Sequence, residues 1–270
     1  MLGQDFAYAH GRIGVLKQLL MRQSDGDRLL GSHGRKEAEG VLTELKLTSE
    51  IDQGISDWNS ILAAIEEWVD KEVMQMSPVA RRPVFQILWM NQQAPLLAYL
   101  LKKYHGHTSE ISQEPPVGRG SVYSKEELID CIENGTASIL PDHLIAFIGG
   151  VKSKETPAVY DIDTDVQQYV ASRRLSLARA SGSTHIKRYV QHRIDIQNIR
   201  TALRHSSQQK GGTSVEAHLL NGGTFTLSSK HNSTNAIATA IETTALPVSL
   251  ATALRSADDH NGLERAFTEL

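Results

Sequence analysis

Cysteine, aromatic side chains, long apolar runs and a surplus of either charge are all scarce in this chain. A single cysteine, Cys131, among 270 residues leaves no intramolecular disulfide and no cysteine cage for zinc, and it fits a reducing compartment. Aromatics make up 6% of the chain, too few for the usual core of a β-sandwich but suited to an Ala/Leu/Ile-rich helical interior. Lys and Arg number 28 against 31 Asp and Glu, a formal net charge of -3, so the basic excess of a nucleic-acid binder is missing and no nucleic-acid partner is expected. The most apolar stretch, Pro83 to Tyr104, is broken by Asn91, Gln92, Gln93 and Pro95, which a bilayer tolerates poorly; it reads as a buried, kinked core helix. The first twenty residues lack a basic leader followed by an apolar core, so no secretory signal is expected, and the sequons at Asn134 and Asn232 carry little weight without one.

What the chain does have is helical periodicity. Apolar residues recur at steps of three and four from Phe6 to Met21, from Glu37 to Leu47, and from near Gly54 through Ile55, Trp58, Ile61, Leu62, Ile65 and Trp68. The Pro83–Tyr104 helix is expected to stop near Gly106, with Lys102 and Lys103 suiting the negative end of its dipole. A Ser/Pro/Gly-rich loop follows to Gly120. Ser124 then opens a capping box for a helix through Ile132. Segments around Ser138–Gly150 and Asp165–Ala180 add two helices. Few segments alternate with period two, so the fold class predicted is all-α.

The chain also resembles itself. An offset of 103 residues carries Gln92 onto Asp195 and Pro95 onto Asn198, laying the Pro83 helix against the helix through Asp195. The same offset lays the turn Gly118–Tyr123 against Asn221–Thr226. At a similar spacing Ser138–Leu144 meets Thr244–Leu250. A period this long points to duplicated helical units rather than a solenoid. The expected division is residues 1–110 and 111–270, the second unit including the start of an incomplete third.

Candidates for chemistry are few. Asp195 and Asn198, three apart, share a helix face and read either as an acid site or as a polar crosslink to a neighbouring backbone, with Arg193, Arg200 and Arg204 as local partners. Gly118-Arg119-Gly120 and Gly222-Gly223 lack the continuation of any phosphate-binding glycine loop, and Gly149 opens a similar stretch with the wrong spacing. The first two read as tight turns, and no nucleotide is expected. His105 and His107 flank Gly106 either as a surface chelate or as a solvated helix end. No metal-site spacing occurs among the eleven histidines, and Ser32 lacks the context of a nucleophile elbow. No catalytic residue, cofactor or metal is therefore expected.

These residues taken in order resemble the C/d-type subunit family of rotary V-type (A/V-type) ATPases. Tyr8 and Arg12 match its N-terminal Y-x-x-x-R pattern. Asp195, Asn198, Ile199, Arg200, Leu203 and Arg204 match its D-x-x-N-[IL]-R-x-x-[LF]-[RK] helix, and Gly222-Gly223 after Leu219 and Leu220 match its glycine turn. The first repeat departs from the pattern, with Gln92 and Pro95 in place of Asp and Asn, and the family is usually longer. The resemblance implies helical units repeated about a pseudo-threefold axis. It also implies a non-catalytic component, peripheral on the cytoplasmic face of the membrane, that couples the central-stalk rotor shaft to the proteolipid ring. Contact residues expected on this basis are Arg119, Asn221, Gly222 and Gly223 in the turns, and Arg200 and Arg204 on a basic helix face. A free-standing helical scaffold for a protein partner is the alternative.

Overall fold

The structure, a computed structural model, describes residues 7–45, 58–78, 82–107, 122–135, 140–208, 215–224, 226–228, 233–244 and 246–256. Among them are eleven α-helices and no strand, so the protein is all-α. Two compact units divide the chain: Met1–Gln93 with Pro115–Lys125, and Ala94–Glu114 with Glu126–Leu270.

The first unit holds α1 (Ala7–Leu16), α2 (Gln23–Leu30), α3 (Arg35–Thr43), α4 (Trp58–Met76) and the start of α5 (Arg82–Tyr104). Helix α1 tightens into a 3-10 turn over Lys17–Leu19, and Leu20 is extended, so the helix expected to Met21 ends earlier. Helix α2 has no apolar periodicity; the Asp25 carboxylate accepts from Arg22 N (2.9 Å) at its start, and Leu30 is 88% exposed. Arg12 links α1 to α4 through a fork, Nε to Glu72 Oε2 at 2.9 Å and Nη2 to Oε1 at 2.6 Å. That bond holds the Glu72 carboxyl below the ordinary carboxylate range. Of the apolar residues expected along α4, Ile65 and Trp68 are half-buried, while Gly54 and Ile55 lie outside the described residues.

Helix α5 runs unbroken through Pro95. The proline ring is exposed, while Leu96, Leu97, Leu100 and Leu101 behind it are buried, so packing outweighs the one hydrogen bond a proline removes. The helix ends with Gly106 at φ 83 and bonds from Gly106 N to Lys103 O and from His107 N to Lys102 O, a left-handed glycine stop.

In the second unit α6 (Lys125–Ile129) begins right after Ser124 and widens into a π-turn, Asp130–Asn134, that Gly135 closes at φ 67. Next come α7 (Asp142–Lys152), α8 (Val159–Ala180) and α9 (Thr184–Gln208). Helix α8 starts a turn and a half before the expected Asp165, because Asp161 Oδ2 accepts from Ala158 N (3.2 Å) and fixes the first turn there. Helices α8 and α9 form a hairpin about Ser181–Ser183. A 3-10 turn (Val215–His218) then leads to α10 (Thr234–Glu242) and α11 (Val248–Ser256). Ser233 Oγ caps α10 by accepting from Ala236 N (3.2 Å). Buried Ala238 and Ala251 let these last two helices pack closely, and with Ile199, Leu203, Leu227, Ile237, Leu250 and Leu254 they form one apolar cluster on α9. Each such buried Leu or Ile contributes about 1.5–3 kcal/mol. Among the described residues no helix is long and apolar enough to cross a membrane.

Candidate functional site

In the second unit the segment Leu220–Thr224 is held against α9 by buried side chains and against α8 by half-buried Gln168. Asp195 is 0% exposed and Asn198 is 5% exposed. Burial of this kind is tolerable only where the polar atoms are bonded. Asn198 acts like a strand: its Nδ2 donates to Leu220 O (2.9 Å), and its Oδ1 accepts from Leu220 N (2.7 Å). One turn earlier on the same face, Asp195 accepts from Thr224 N through both oxygens (2.9 and 3.0 Å) and from Thr224 Oγ1 at 2.5 Å. A carboxylate taking two donors, one of them shared between its oxygens, holds the backbone through charge-assisted bonds. Gln191 Nε2, a turn before Asp195, reaches Gly222 O at 3.5 Å. From α8, Gln168 Oε1 accepts from Asn221 N at 3.1 Å.

The two glycines serve different needs. Gly222 lies at φ 101, where a side chain is strained, and a Cβ there would stand 2.6 Å from Leu175 Cδ2. At Gly223 a Cβ would come 2.0 Å from Asp195 Oδ1, so the missing side chain is what lets the carboxylate reach the backbone. The result is a fixed loop whose outer residues, Asn221, Gly222 and Thr224, are exposed.

Of the two readings of Asp195 and Asn198, the crosslink to a loop backbone is the one built. Arg193 is exposed and does not bond the carboxylate. Among the expected contact residues, Asn221 and Gly222 are exposed, Gly223 is half-buried and Arg204 is exposed. Arg200, expected on an exposed basic face, is half-buried instead, because apolar neighbours of α9 pack around its turn. Arg119 lies outside the described residues. His105 and His107 are neither a chelate nor a solvated tail: their Nε2 atoms bond Val151 O (3.2 Å) and Pro157 O (2.9 Å). Among the described residues no three His, Cys, Asp or Glu side chains converge as a metal site. Sequence reading did not single out Gln168, Gln191, Leu175 or Thr224. Gln191 could have been found, since it precedes Asp195 by four residues and Asn198 by seven on one helical face.

No protein-family model matches the chain, and no curated protein matches it.

Proposed function

We propose that this protein is a non-catalytic adaptor of a rotary V-type ATPase or ATP synthase, seated on the cytoplasmic face between the central rotor shaft and the proteolipid ring. The observation that carries the reading is the loop Leu220–Thr224. The residues that suggested the family, Asp195, Asn198 and Gly222-Gly223, form one construction whose evident task is to hold an exposed loop rigid. A part that transmits torque needs such a loop, because a contact that yields stores the motion instead of passing it on. Long helices packed over wide faces serve the same end. Within this reading the helical units are pseudo-symmetric repeats with an incomplete third unit. Asn221, Gly222, Gly223 and Arg204, with Arg119 and Arg200, make up the contact rim.

The test is affinity purification of the tagged full-length chain from detergent-solubilised membranes of its own cells. The expected result is recovery of a rotor-shaft component and the proteolipid. The double variant Asn221→Lys with Arg204→Glu should lose both while keeping its helical circular dichroism. Recovery of unrelated proteins alone would favour the free-standing scaffold, and unfolding of the double variant would make the rim residues structural.

A further inference from the structure

The closed end of the α8–α9 hairpin carries an unbalanced positive charge. From Val166 to Ile194 there is no Asp or Glu, yet Arg173, Arg174, Arg179, Lys187, Arg188 and Arg193 fall within it, in a chain whose net charge is -3. Arg179, Lys187, Arg188 and Arg193 are exposed and Arg173 half-buried, and among the described residues none of these five enters an ion pair. The same unit pairs its other cations readily: Lys102 with Asp163, Lys154 with Asp165 and Arg255 with Glu242. Placement makes the imbalance sharper. Arg179 sits in the last turn of α8, where the helix dipole favours it, but Lys187 and Arg188 sit at the start of a 25-residue helix with no acidic residue in its first turn. Cations there oppose the dipole and the N–H groups of the first turn. Further along the hairpin, like charges also face one another. Burial is the main cause holding the Arg174 guanidinium below its usual range, and the charge of Arg193 adds to it; His143 is lowered first by burial and then by Arg173.

We propose that the hairpin tip, through Arg179, Lys187 and Arg188, docks a carboxylate-rich segment of a partner protein. An acidic segment supplies the counter-charge that no described residue provides to these cations, and it complements both the cations and the positive end of the α9 dipole. Arginine's planar fork suits carboxylates in particular. A bilayer fits less well, because Tyr189 is the one large apolar side chain exposed between Val166 and Ile194, leaving almost nothing to insert. The inference stands on the hairpin alone and not on the rotary reading.

The test uses the full-length chain with fluorescein-labelled oligoglutamate at low ionic strength, read by fluorescence anisotropy. Binding that weakens with added salt is expected, and about tenfold weakening in Arg179→Ser/Lys187→Ser/Arg188→Ser, with helicity retained. A second triple variant at Lys17, Lys36 and Arg22, which removes equal charge elsewhere, should bind as the parent does. Equal weakening in both triples, or no binding by the parent, overturns the proposal. Vesicles of phosphatidylcholine with phosphatidylserine form the other arm: capture by vesicles without binding of the peptide also overturns it and makes the surface lipid-directed.

Discussion

Helices α5 and α9 are alike in length and are related by the offset in sequence, yet their interiors are organised by different forces. After Pro95, α5 buries Leu96, Leu97, Leu100 and Leu101, each at 4% exposure or less. At the positions matching Gln92 and Pro95, α9 buries Asp195 and Asn198, and these bind backbone rather than fill space. One bond that α5 makes to the described part of the segment matching the glycine loop is long, Gln93 Nε2 donating to Tyr123 O at 3.5 Å. Apolar packing tolerates some sliding, whereas paired hydrogen bonds to a loop fix its position. Two helices of like length thus hold their surroundings in different ways, α5 mainly by area and α9 by area together with directed bonds.

Breaking the polar hold should have the largest effect. Asp195→Ala leaves Thr224 N–H and Oγ1 without their buried acceptor and should cost about 3 kcal/mol in urea unfolding. Gly223→Ala, which sets a Cβ against the same carboxylate, should cost about 2 kcal/mol by itself. The double variant should cost clearly less than the two added, because removing the Asp195 carboxylate vacates the space the new methyl needs. Strict additivity would mean that the close approach at Gly223 is not what ties the two residues together. The aligned pair Asn198 and Pro95 should then respond with opposite signs. Asn198→Ala leaves both backbone polar groups of Leu220 without their side-chain partner, at about 2 kcal/mol. Pro95→Ala, at an exposed helical site, restores a donor toward Asn91 and should stabilise by about 1 kcal/mol. Equal signs in thermal melts would dissolve the contrast between the two helices.

How much of this was legible in the sequence follows from what sets each feature. Helices α5, α7 and α9 declare themselves by apolar periodicity, because their buried faces are continuous. Helix α2 does not: Gly26 and a run of charges hide it, and its start depends on one local carboxylate bond. Helix α10 is short, and its serine cap lies in a polar stretch that resembles a loop. The Asp195–Asn198 spacing disclosed a crosslink, and Gly222-Gly223 disclosed a turn, but nothing local linked the two. Gln168, on α8, and Leu175 shape the loop from far away in the chain, and only packing brings them there. The histidines around Gly106 were opaque for the same reason, since their carbonyl partners are Val151 and Pro157.

The first unit offers a polar hold of a different kind, and its effect should be smallest. Arg12 and Glu72 join two helices by a charged fork rather than fixing a loop, and Arg12 remains partly exposed, with 34% of its side chain in contact with water. Because the fork lowers the Glu72 pKa in the folded state, its contribution is complete above the unfolded value of about 4.3 and disappears as pH falls through the lower, folded value. Glu72→Gln should therefore be less stable than the parent by about 1 kcal/mol at neutral pH. That gap should persist down to about pH 5 and close in more acid solution, where the parent's own carboxyl becomes protonated. Urea titrations of both proteins across this range measure it directly. A gap that stayed constant into strong acid would mean that it does not arise from the Glu72 charge, and that the ion pair with Arg12 contributes nothing to the join.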